Sequence, residues 1–180
     1  MALPTGAMQL AGFLMAHALW TTAELPADGV YVPQALCQTA NGDRQLTSFD
    51  APDHKQSMEQ ARAFLESTAP GYADCALAHE AVIETGGGAG KGAVNALVID
   101  LFEAGNPLVT VIQPFRPAAQ AGGFRLLGAE LLIDARGPVP ALQADAAIGP
   151  LHEGASDHPG LGDQWAQWNG GRDPHSPFAP

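Results

Sequence analysis

Residues 75–116, CALAHEAVIETGGGAGKGAVNALVIDLFEAGNPLVTVIQPFR, decide the fold. Two apolar segments, 75–85 and 93–103, flank the glycine-rich loop 86–92. A third follows the Ala104-Gly105-Asn106-Pro107 turn and stops at Gln113-Pro114-Phe115-Arg116-Pro117. Apolar runs of this length, bounded by turn residues, read as buried strands. Leu97, Val98, Ile99 and Leu101 follow one another almost without a polar break. That pattern belongs to a central strand covered on at least part of both faces. The stretch predicts an antiparallel meander.

This reading removes a possible nucleotide motif. A phosphate-binding loop ending in Gly-Lys carries a first Gly where this chain has Thr85, and Ser or Thr where it has Gly92. It also opens a helix whose N-terminus faces the phosphate. A strand after Lys91 supplies no such helix. The expectation is a hairpin loop with Lys91 at its tip, placed to touch a partner.

Upstream, residues 17–24 read as a strand ending at Leu25-Pro26. Asp28-Gly29 is a hairpin turn signal, 30–39 a second strand, Asn41-Gly42 a second turn and 44–49 a third strand. In that register Trp20 and Tyr31 pair across the first hairpin and pack into the core. Residues 1–15, with Met8, Leu10, Phe13 and Leu14, fit either a short helix or an extended arm. A helix then starts after Asp53, an N-cap residue with Gln56 in the capping-box position. Met58, Ala61, Leu65 and Thr68 recur at helical spacing, and Pro70-Gly71 ends the helix.

Residues 124–134 read as the last strand. The remainder, 135–180, is dense in Pro and Gly and reads as an irregular tail, although 141–148 fits two turns of helix. Trp165 and Trp168 bring enough apolar area to anchor that tail on its own domain or on a neighbour. The expected fold is α+β. It has a mainly antiparallel sheet of about six to seven strands: a three-stranded meander, one helix, then three to four strands. The helix packs on one sheet face and a Pro/Gly-rich C-terminal tail follows. The organisation is an arm or short helix at 1–15, a single domain over 16–134 and an extension over 135–180.

Hydrophobic residues make up 46% of the chain and charged residues 15%, too apolar a balance for a wholly disordered polymer. Eight basic residues stand against 19 acidic ones, a formal net charge of -11. Such a field repels a phosphate backbone or an anionic bilayer, so neither nucleic acid nor membrane is an expected partner. Cys37 and Cys75 read as small buried hydrophobes in a reducing compartment; their spacing leaves a disulfide open. The apolar N-terminal residues follow no basic start, and their run is too short to span a bilayer. These features suggest a cytoplasmic protein.

Catalytic material is sparse. No serine lies in a nucleophile elbow. Cys75 and His79, four apart on a strand, are too far apart for proton transfer. Glu80 with Glu84, and Asp100 with Glu103, read as the wet face of a sheet. His152, Glu153, Asp157 and His158 lack the spacing of a helical zinc pair and read as a solvated acidic turn, so no metal and no cofactor are expected. The Gln113–Pro117 segment stands apart. Its prolines stiffen the backbone around Arg116, and an arginine fork suits bidentate capture of carboxylate or phosphate.

Candidate ligand- or partner-binding residues are therefore Arg116, Gln113, Trp165, Trp168 and Lys91. The first functional expectation is a non-enzymatic binding protein acting through a sheet edge or its C-terminal tail, on a protein partner or a second copy of itself. The alternative is a small enzyme or ligand carrier holding a small anionic ligand around Arg116, with Glu80, His79 or His17 as acid or base.

Overall fold

The chain runs α1 (Thr5–Glu24), β1 (Gln34–Gln38), β2 (Arg44–Ser48), α2 (His54–Thr68), β3 (Asp74–Thr85), β4 (Gly92–Glu103), β5 (Asn106–Arg116), β6 (Arg125–Leu126), β7 (Leu131–Asp134), β8 (Gly137–Pro138), α3 (Ala141–Ser156) and α4 (Gly162–Gly170). The structure, a computed structural model, describes residues 3–85, 92–175 and 177. Lys91 and the glycines at 86–90 lie outside the described residues. The fold is α+β, with a mostly antiparallel sheet ordered β2-β1-β3-β4-β5-β7-β8 and β6 paired to β5.

The meander forms as its sequence predicts. β3 and β4 pair from Asp74↔Glu103 to Thr85↔Gly92, and β4 and β5 pair through Asn95↔Phe115. Residues 92–103 are extended, so no helix N-terminus follows Lys91. Ala104 and Gly105 make the β4–β5 turn with φ of 46° and 80°. Positive φ at both central positions gives a turn whose twist matches the flanking strands. Gly105 takes that conformation freely; Ala104 is strained in it.

Alternation along the strands sorts side chains to two faces. Ala76 and Ala78 of β3, Leu97, Ile99 and Leu101 of β4, and Val111 and Phe115 of β5 join a core with α1 and α3. Ala35 and Cys37 of β1, with Cys75 and Leu77 of β3, face the other way and pack under Met58, Ala61 and Leu65 of α2. Asp53 caps α2 as expected: its carboxylate accepts from the Gln56 backbone N–H at 2.8 Å and from the Gln56 side chain at 2.9 Å.

Four sequence expectations give way. Residues 17–24 are the end of α1, not a strand, and the helix is continuous with residues 5–16. Thr21 and Thr22 return their hydroxyls to the carbonyls of His17 and Ala18, so these β-formers sit inside a helix with their polar groups satisfied. Consequently Trp20 and Tyr31 do not pair; Trp20 is exposed on α1 while Tyr31 is buried. The strand expected over 124–134 is split into β6 and β7.

The tail is the third correction. Residues 141–170 are mostly helical, forming α3 and α4, with Pro150 inside α3. With α1 and α2, the described residues hold four α-helices where one was expected. α3 packs along α1 at a close crossing, where Gly12 meets the Leu151 carbonyl and Gly154 meets the Gln9 carbonyl. His152 and Glu153 lie on α3 instead of in a solvated turn.

The fourth correction is Cys37 and Cys75. They are direct register partners across β1 and β3 and form a disulfide, not a reduced pair. No helix among the described residues is long and apolar enough to cross a membrane.

Candidate functional site

Arg116 ends β5. The chain then turns through residues 117–123, with Gln120 N–H donating to the Pro117 carbonyl and Gly123 N–H to that of Gln120. It returns as β6, which places Arg125 directly opposite Arg116. Arg116 Nε donates to the Gly123 carbonyl at 2.8 Å, and a terminal nitrogen donates to the Gly122 carbonyl at 2.9 Å. The guanidinium lies flat against Gly122, whose added Cβ would strike it, and Gly122 also holds a φ of +92°. The arginine is thus fixed by its own turn.

Arg125 is held in a similar way. Its Nε donates to the Gly171 carbonyl at 2.9 Å, just past α4. That strap is tightened by Asp173, whose N–H donates to the Leu126 carbonyl and whose carbonyl accepts from Gly128 N–H. Both guanidinium groups are anchored through Nε to main-chain oxygens. Among the described residues, neither has a carboxylate within ion-pair distance. The acid that feels Arg125 is Asp173; its carboxyl is held below the usual range first by the His175 backbone and side chain, and less by Arg125.

Arg116, Gly122, Phe124, Arg125, Gln167 and Trp168, with Gly171, line one cleft of about 290 Å³. Phe124 stacks on the buried Phe115 at 5.6 Å and tilts against Trp168 at 4.9 Å. The cleft therefore combines two positively charged forks with an aromatic wall.

Sequence-predicted residues divide clearly. Arg116 and Trp168 come together in this cleft. Trp165, three residues earlier on α4, is 1% exposed and belongs to the core, where it meets His152 edge-on at 5.2 Å. Gln113 is fully buried on the α1 side of β5; its Nε2 donates to the Pro114 carbonyl, and its Oε1 has no hydrogen-bond partner among the described residues. Lys91 lies outside the described residues.

The acids and bases proposed to accompany Arg116 are elsewhere. His79 Nε2 lies 3.4 Å from Asp100, which also accepts from Thr110. Glu80 accepts from Asn95 at 2.8 Å. His17 stacks on His158 at 5.6 Å. Its pKa is lowered first by burial and then by that second imidazole. None of the three lines the Arg116 cleft.

Two features escaped the sequence reading. Arg125 had a signal: the dipeptides Phe115-Arg116 and Phe124-Arg125 bracket a Pro-to-Gly-Gly turn, as two arms of a hairpin would. The Glu130 network had none. The Glu130 side chain is 2% exposed and accepts from His152 at 2.9 Å and from Arg172 at 2.7 Å. Arg172 also donates to Gly128 and Asn169, locking the end of α4 onto the β6–β7 connection. Burial pushes the Glu130 carboxyl up, but those hydrogen bonds and charges prevail and bring it down to about 2.

The chain matches no protein-family model, no curated protein and no solved structure.

Proposed function

We propose that the protein is a non-enzymatic binding protein whose cleft between the β5–β6 turn and α4 takes a small ligand with an anionic head and a planar apolar body. The observation that carries this reading is the Arg116–Arg125 pair. Like charges placed directly across a strand pair are destabilising. In a chain of net charge -11, two adjacent arginines without a carboxylate partner among the described residues are an arrangement that a bound anion would complete. Anchoring through Nε leaves terminal N–H groups for a carboxylate or phosphate and removes rotamer freedom before binding. Phe124 and Trp168 offer ring faces to the rest of the ligand. The cleft volume is at the small end for ligand sites, which suits a compact molecule.

The absence of His17, His79 and Glu80 from the cleft favours a carrier or sensor over an enzyme. The buried Trp165 favours a tail that is part of the fold, with Trp168 as its ligand-facing residue. The disulfide favours an oxidising compartment over the cytoplasm that the composition suggested.

Calorimetric titration with phenyl phosphate and benzoate tests the reading. Binding of at least one is expected, weakened tenfold or more in Arg116→Gln and in Arg125→Gln variants with unchanged circular dichroism. Absence of binding by both probes, or equal binding by both variants, would overturn it.

A further inference from the structure

A different part of the molecule carries a second binding surface. β1 pairs with β3 only from Asp74 to Ala78, whereas β3 continues to Thr85 beside β4. On the β1 side, residues 79–85 therefore have no strand neighbour among the described residues. Their outward main-chain groups make no hydrogen bond to other described loops or side chains. An open row of N–H and C=O groups is a template for another strand.

The edge also has a floor and walls. Gly29, Val30 and His54 face Glu80, Ala81 and Val82 across an open groove of about 250 Å³. Val30 and Val82 are 65% and 66% exposed, among the most exposed large apolar residues described. Glu80, Val82 and Glu84 share one face of β3, so an apolar residue is flanked by two carboxylates.

We propose that this edge takes an extended peptide as an added strand, with an apolar residue facing Val82 between two basic residues facing Glu80 and Glu84. Main-chain hydrogen bonds supply the attachment and the alternate side chains supply the choice of partner. The acidity of the whole chain steers a basic segment toward it. A second copy of this chain fits less well: antiparallel self-pairing centred on Val82 sets Glu80 against Glu84, a like-charge contact.

The test is an NMR titration of the full chain with the peptide TKTVTKT, and separately with TETVTET. Shifts in the amides of residues 80–84 and of Val30 and His54 are expected with the first peptide and not with the second. A version of TKTVTKT that is N-methylated at alternate residues on its edge-facing side is expected to lose binding altogether. The exposed Glu84→Lys change is expected to weaken the unmethylated peptide about five-fold. Equal binding of the methylated peptide would mean charge attraction without strand addition and would overturn the proposal. Absence of shifts at 80–84, equal binding of TETVTET, or a dimer formed through this edge in sedimentation would overturn it too.

Discussion

Arg116 and Arg125 face each other across the β5–β6 pair, each tied by Nε to a main-chain carbonyl and neither matched by a carboxylate among the described residues. Two guanidinium groups in this relation repel each other unless an anion lies between them.

Arg125→Glu separates binding from folding. The substitution gives Arg116 an opposite charge directly across the strand pair while removing the donor to Gly171. Stability in urea is expected to hold, or to rise by up to about 1 kcal/mol. Stabilisation by phenyl phosphate in thermal melts is expected to disappear. A loss of more than about 2 kcal/mol would identify Arg125 as a structural strut instead.

The α1–α3 crossing depends on two glycines. A Cβ on Gly12 or Gly154 would collide with a main-chain carbonyl of the facing helix, a group that cannot rotate away. Gly12→Ala and Gly154→Ala are each expected to lose about 2–3 kcal/mol in chemical denaturation. Their effects should not add, because either one already separates the helices. Wild-type stability in both variants would mean that the helices pack further apart.

The disulfide closes a loop with a sequence separation of 38 and sits in register between β1 and β3. Chain-entropy reasoning gives about 4 kcal/mol for such a loop. A Cys37→Ala/Cys75→Ala double variant should therefore unfold at lower denaturant, by about 2–4 kcal/mol. Equal stability of the oxidised protein and the double variant would contradict this.

Glu130 makes stability depend on acid. Its folded pKa, about 2, is below the value near 4.5 of a free glutamate. The stabilisation is complete above pH 4.5 and is lost as pH falls toward 2, roughly 3 kcal/mol in all. Urea melts at pH 7, 4 and 3 should show that decline, and Glu130→Gln should flatten it while lowering stability at pH 7. An unchanged slope in Glu130→Gln would assign the acid limb to other groups.

What could be read from the sequence followed the strength of local signals. β3, β4 and β5 were visible because aliphatic runs end in unmistakable turns. α2 was visible because one side is apolar and Asp53 caps it. The first part of α1 was left open between helix and arm and residues 17–24 were read as a strand, because the sheet and α3 together bury most of the helix's circumference, which removes the periodic polar face that marks a helix. The first half of α3 was legible as two turns over 141–148; its continuation was hidden by Gly149, Pro150 and Gly154, two residue types read as breakers, although Gly154 is what permits the helix crossing. Arg116 could be singled out because prolines frame it. The register that brings Arg125 and Trp168 beside it is a tertiary fact that no local pattern contains.

The central claim is that Arg116, Arg125 and Trp168 form one anion site. Its most direct test is a crystal structure of the protein with phenyl phosphate. Phosphate oxygens are expected within hydrogen-bond distance of both guanidinium groups, with the phenyl ring against Trp168. A phosphate bound elsewhere, or an empty cleft at saturating probe, would contradict it.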